Sequence, residues 1–162
     1  METSACVIAV RSPAMNRTRV PAVEGLFTLD DGEPRLIGGR VPGTESYFFP
    51  KHLGGADPRV GPVELEEVLL SRRGRVWSYT TSHYPPPPPF VVTAEPYEPI
   101  TIAAVELEHE KMVVLGQCVA GVRPEDLEVG MEMELTVDTL YADDDCDYLV
   151  WKWRPVTAGS ED

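Results

Sequence analysis

Histidines, cysteines and an aspartate run are the residues of this 162-residue chain with the most chemistry to offer, and their spacing assembles none of them into a reaction centre. His52 falls in a Gly-rich loop, His83 at the end of an expected strand and His109 in an expected hairpin turn. None has a nucleophile in a recognisable motif beside it, so each reads as a surface histidine. The sequence contains no G-x-S-x-G, no P-loop and no dinucleotide fingerprint, and Gly38-Gly39 and Gly54-Gly55 read as loop glycines without a phosphate signature. The run from Ala142 to Asp147 lacks the alternating ligand spacing, central glycine and distal glutamate of a calcium loop, and reads as a solvated hairpin tip. Glu106 and Glu108 share one face of a strand, which a solvated polar face explains without acid–base chemistry. Cys6, Cys118 and Cys146 are odd in number and widely spaced, framing neither a disulfide scaffold nor a zinc site, as suits a reducing cytoplasm. No catalytic residue and no metal ligand is expected.

Binding chemistry is better represented. Arg72, Arg73 and Arg75, with Lys51, concentrate positive charge that could meet phosphates or an acidic partner surface; solvated arginines are the plainer reading. Trp77, Tyr79, Tyr84, Phe90 and Tyr97 surround five consecutive prolines, Pro85 to Pro89, and core packing does not readily use every ring. An exposed share would form a hydrophobic docking surface. Tyr47, Phe48 and Phe49 make a second aromatic knot in a Gly- and Pro-rich stretch. Net charge excludes other partners: 14 Lys and Arg against 27 Asp and Glu leave −13, which repels nucleic acid and anionic membranes. The CVIAV run near the N-terminus is too short for a signal core, and no segment has the length of a membrane span.

These residues must be held by strands. ITIAAVEL, KMVVLGQC, MEMELTVDTLY and DYLVWKWR are each of strand length, β-rich and bounded by turn clusters. Alternation puts Met131, Met133, Leu135 and Val137 towards a core with Glu132, Glu134, Thr136 and Asp138 towards water; likewise Leu149, Trp151 and Trp153 oppose Val150, Lys152 and Arg154. A long earlier strand is expected in ELEEVLLSRRGRVWSYTTSHY, broken or bulged at Ser71 to Gly74, with Val76, Ser78 and Thr80 opposite Trp77, Tyr79 and Thr81. Residues 82–99 then form a stiff connection, a polyproline segment being alternatively a PxxP ligand. A helical turn at Pro124 to Leu127 separates the third strand from the fourth. Strand, long loop, strand, hairpin, strand, short helix, strand, hairpin, strand is the order of a five-stranded OB-fold barrel in a mainly β chain. Upstream, Leu26, Phe27 and Leu29 before Asp30-Asp31-Gly32, with Leu36 and Ile37 after it, predict a helix or a hairpin docked on the body. Residues 1–23 read as a basic N-terminal extension, 24–67 as a separate small segment, 68–156 as the barrel and 157–162 as a tail.

EGLFTLDDGEPRLIGGR, SYFFP, LEEVLLSRRGRVWSYT, PPPPPF, PITIAAVELE, MVVLGQ, RPEDLEVGMEMEL and YLVWKWRP together resemble the zinc-ribbon and OB-fold proteins that accompany thiolase-like and lipid-transfer-protein-like enzymes of acyl-CoA metabolism. The resemblance runs from about Val23 to Pro155. It implies an accessory subunit in a cytoplasmic hetero-oligomer, with the nucleophile on the partner and a CoA thioester as the substrate of the complex. Carbon–carbon bond cleavage or formation, on steroid or fatty-acyl side chains, is the chemistry it implies. Arg72, Arg73 and Arg75 become candidate contacts for CoA phosphates, and the eight aromatic residues above become candidate partner contacts. The four ribbon cysteines fall at or near Val41, Thr44, Gly55 and Val60, which implies a degenerate ribbon without its metal. Two other readings compete: a nucleic-acid-binding OB-fold, which needs a basic groove, and a free-standing enzyme, which needs a constellation absent here.

Overall fold

A computed structural model describes residues 17–29, 32–53, 63–88, 90–92 and 95–156. The described residues form nine strands: β1 (Thr18–Pro21), β2 (Ile37–Arg40), β3 (Tyr47–Phe48), β4 (Glu66–Leu69), β5 (Arg73–Ser82), β6 (Ile100–Leu107), β7 (Val113–Cys118), β8 (Glu132–Ala142) and β9 (Cys146–Pro155). A six-stranded sheet runs β1-β9-β7-β6-β5-β8, and pairing of β8 with β9 closes it. The closed part is a five-stranded barrel of β5 to β9, consistent with an OB-fold. Closure removes the free edges that an open sheet of this size would expose.

The expected alternation of the last two strands holds. Met133, Leu135, Leu149 and Trp153 are fully buried, with Met131, Val137 and Trp151 packed against them. Gly116 on β7 has a reason to be glycine, because a Cβ there would come within 2.8 Å of the Trp153 indole and 3.0 Å of that of Trp151. The turn at Pro124–Asp126 lies between β7 and β8 as expected, fastened by the Arg123 N–H donating to the Asp126 carboxylate at 2.9 Å, and it delivers Leu127 into the core.

β1 lies parallel on β9, pairing Thr18 with Cys146 through Pro21 with Leu149. The extension expected over residues 1–23 is therefore a strap on its own barrel from Thr18 onward; residues 1–16 and the tail 157–162 lie outside the described residues. The choice between helix and hairpin for 24–40 resolves as a hairpin: Phe27 bridges Leu36, and both side chains are buried in the barrel's core cluster.

The break expected at Ser71 to Gly74 is present, one residue earlier, as Leu70 to Arg72 between β4 and β5. Three expectations are corrected. The two halves of the expected first strand lie in different sheets: β4 pairs with β2 in a small antiparallel sheet ordered β3-β2-β4, while β5 belongs to the barrel. The chain changes sheets at Leu70, which is fully buried and cannot be left on a strand edge. Gly38 and Gly39 are strand residues of β2, not loop glycines, and a Cβ on Gly38 would stand 2.7 Å from Leu70 and 2.9 Å from the Phe48 carbonyl oxygen. Finally, the register shift in β5 falls at Trp77, between Val76 and Ser78, beyond the expected break. Val76 faces Val105 and Tyr79 faces Ala103, so the extra residue reverses the alternation read from Val76, Ser78 and Thr80.

Candidate docking surface

The bulge at Trp77 decides what the outside of the barrel presents. Beyond it, Ser78 stands opposite Ala104 of β6, and Ala104 opposite Leu115 of β7; Thr80, Ile102 and Gln117 form the next row. The intervening residues of β6, Ala103 and Val105, are wholly buried in the barrel, so these rows are on its outer face. That face is mixed, with Ser78, Thr80 and Gln117 among exposed apolar side chains. Trp77 is 63% exposed, Leu115 65% and Val113 40%, while Ala104 lies covered in the row that Leu115 ends. β6 thus carries apolar residues on both faces, the composition of a strand buried on both sides.

The other aromatic candidates divide. Tyr84 and Tyr79 are exposed, as are Val91 and Val92 of the proline-rich connection. Phe90 and Tyr97 are half-buried and line a cavity of about 200 Å3 under that connection, where the Tyr97 hydroxyl reaches the Ser82 carbonyl at 3.4 Å. Pro89 lies outside the described residues. Tyr47 and Phe49 pack on the chain's own core, Phe49 edge-on to Trp151 at 5.5 Å and Tyr47 edge-on to His109 at 6.0 Å, its hydroxyl 3.2 Å from Nε2. Phe48 is half-buried in β3. Internal packing holds Tyr47 and Phe49, and both stay half-buried.

The arginine cluster separates as well. Arg72 lies in the bend before β5 and reaches Glu33 at 3.4 Å and Glu134 at 3.2 Å. Arg73 pairs with Glu132 at 3.4 Å, and Arg75 donates to the Gly130 carbonyl at 3.0 Å. Those two line a small hollow with Glu106, Glu108, Lys111 and Glu132, away from the cleft that Arg72 enters. Lys51 pairs with Glu67. The three arginines do not converge on one site.

Titratable groups that could do chemistry are quietened. Burial pushes the Cys118 thiol up to about 11, leaving it protonated at neutral pH. Asp143 accepts backbone N–H groups from Cys146 at 2.7 Å and Asp145 at 2.9 Å, and the Tyr148 hydroxyl at 3.0 Å; these bonds hold its carboxyl below the usual range and occupy it as the turn's organiser. Among the described residues no three His, Cys, Asp or Glu side chains cluster as metal ligands. At the first ribbon knuckle the side chains do not fit zinc: Val41 is buried and apolar, and the Thr44 hydroxyl donates to the Val41 carbonyl at 3.0 Å. Gly55 and Val60 lie outside the described residues. No helix among the described residues is long and apolar enough to cross a membrane.

The DUF35 domain-containing scaffold protein of Pyrococcus furiosus is 33% identical over 124 residues, covering 75% of this chain and 84% of that protein. The chain belongs to the DUF35 family. The scaffold protein of the same description from Methanocaldococcus jannaschii is 31% identical over 123 residues, 75% of this chain and 82% of its own length. The family description of the ChsH2 C-terminal OB-fold domain matches residues 67–138. A solved structure, the Ltp2-ChsH2(DUF35) aldolase, superposes with a TM-score of 0.53 at 30% identity, covering 75% of this chain and 84% of the matched one. A probable enoyl-CoA hydratase alpha subunit of Thermomonospora curvata is 32% identical over 90 residues, 56% of this chain and 25% of that protein. The match to residues 67–138 spans β5 to β7, including Trp77 and Leu115 of the open face.

Proposed function

We propose that this DUF35 protein is a non-catalytic OB-fold subunit that assembles with a thiolase-like or lipid-transfer-protein-like enzyme acting on acyl-CoA thioesters. The observation that carries the reading is the set of apolar side chains exposed on the outer face of β5, β6 and β7, with Trp77 and Leu115 each more than half exposed. Large apolar side chains grouped on one face of a barrel lose contact with water when a partner covers them, at roughly 25 cal/mol per Å2. Three further observations support it: the scaffold proteins that the chain resembles, a solved relative described as an aldolase of two named components, and a partial relative described as a subunit of an enoyl-CoA hydratase. The engagement of Asp143, the raised Cys118 and the paired arginines fit a chain that supplies surface and leaves the nucleophile to its partner. CoA phosphate contacts, if this chain makes them, involve Arg72 separately from Arg73 and Arg75.

Co-expression with the thiolase-like or lipid-transfer-protein-like enzyme of the same source tests this. Acyl-CoA turnover is expected from the purified pair and not from this chain alone. Full activity of the enzyme without this chain, together with no co-elution on gel filtration, would contradict the accessory reading.

A further inference from the structure

A cleft of about 490 Å3 opens between the N-terminal hairpin and strands β8 and β9. Leu29, Pro34 and Val137 contribute apolar surface, and Arg19, Arg72 and Arg154 bring three guanidiniums to it. Such a concentration is notable in a chain of net charge −13, and among the described residues it is only partly neutralised. One carboxylate, Glu134, serves two of the three, lying 2.8 Å from Arg154 and 3.2 Å from Arg72. Arg72 meets Glu33 at 3.4 Å, but Glu33 is 73% exposed and readily exchanged for a stronger acceptor. The field of Arg19 reaches Asp138, whose carboxylate is already held by Lys152 at 2.9 Å. Most telling is the Arg72 Nε, which is buried and has no hydrogen-bond partner among the described residues. A donor already removed from water carries its desolvation cost without a bond to offset it.

We propose that this cleft binds a small organic phosphate. Guanidiniums present planar, permanently charged donors suited to phosphate oxygens, and a phosphate offers enough acceptors to engage several of them while one carboxylate remains on Glu134. The apolar wall receives the uncharged part of the ligand, as in small-molecule sites where a few polar groups fix orientation. Because Leu29 and Pro34 belong to the hairpin and Val137 to the barrel, the ligand spans both and stabilises their contact.

The cleft shares Arg72 with the CoA-phosphate reading above, and ligand binding by the full chain alone is measured apart from assembly and turnover of the complex, so either can fail without the other. Titration calorimetry and thermal melting of the full chain with ADP, pyrophosphate and adenosine test it, alongside R19Q and R154Q. ADP should bind and raise the melting temperature, pyrophosphate should bind more weakly, and adenosine should not bind. R19Q, which removes an exposed side chain, should melt unchanged without ligand and weaken ADP binding by about tenfold; R154Q should weaken ADP binding similarly but melt lower without ligand, because it also breaks the pair with Glu134. Failure of both phosphates to bind at millimolar concentration, or unchanged ADP affinity in both variants, overturns the site. Equal affinities for ADP and pyrophosphate would overturn the organic part of the proposal.

Discussion

Cys118 shows how environment, not residue type, sets reactivity. It closes β7 among buried apolar neighbours, where a thiolate would lose its hydration, and its pKa accordingly stands near 11. In the native chain at pH 8, iodoacetamide should leave Cys118 unmodified over a period that labels it fully in denaturant, with peptide mass spectrometry locating the label. Rapid native labelling at Cys118 would mean that the barrel opens there. Trp77 is the opposite case. As the extra residue of a bulge it has no partner across the ladder, and it projects an indole into solvent where a strand in register would have turned the side chain elsewhere. Nothing in the local composition of RVWSYTTS marks which residue is extra, so the alternation there was misread and the exposure of Trp77 could be argued only from the surplus of rings.

At the scale of elements, Glu134 ties the bend before β5 to β9 through Arg72 and Arg154. Partial burial acts to raise its pKa, but the hydrogen bond from Arg154 and the charges of Arg154, Arg72 and Arg73 prevail and hold it below the usual carboxylate value. With the folded value depressed, its contribution to stability is complete above the unfolded pKa of about 4.3 and is lost as pH falls through the folded value. E134Q should therefore cost about 1 kcal/mol at pH 7 and flatten the acid limb of a denaturation series. An unchanged acid limb would mean that this carboxylate is not ionised against the arginines. The barrel strands themselves were legible, since period-two patterning, the Pro-led turn and the long proline connection leave one plausible order. The small sheet was not. β2, β3 and β4 are only two to four residues long, and although β2 pairs with the nearby β3, its pairing with β4 joins residues as distant as Ile37 and Leu69, which local pattern does not report. The division of the aromatic residues between core and surface depends on tertiary packing such as Phe49 against Trp151, which composition does not report.

At the scale of the molecule, the closed barrel itself has no edge to offer a partner, which leaves its outer faces, its loops, its strap and the edges of the small sheet for assembly. The exposed apolar side chains of β5 to β7 are the part of the outer face that water does not favour, and the central claim is that an acyl-CoA enzyme covers them. Aspartate at Trp77 and Leu115 tests this with little effect on the interior, because both side chains are more than half exposed. The most direct measurement is analytical gel filtration with light scattering of this chain mixed with the thiolase-like or lipid-transfer-protein-like enzyme, using the native chain and the W77D/L115D double variant, both checked by thermal melting. A stable complex for the native chain and loss of affinity by at least about thirtyfold for a variant that still melts like the native chain is the predicted result. A variant that assembles as tightly as the native chain would contradict it.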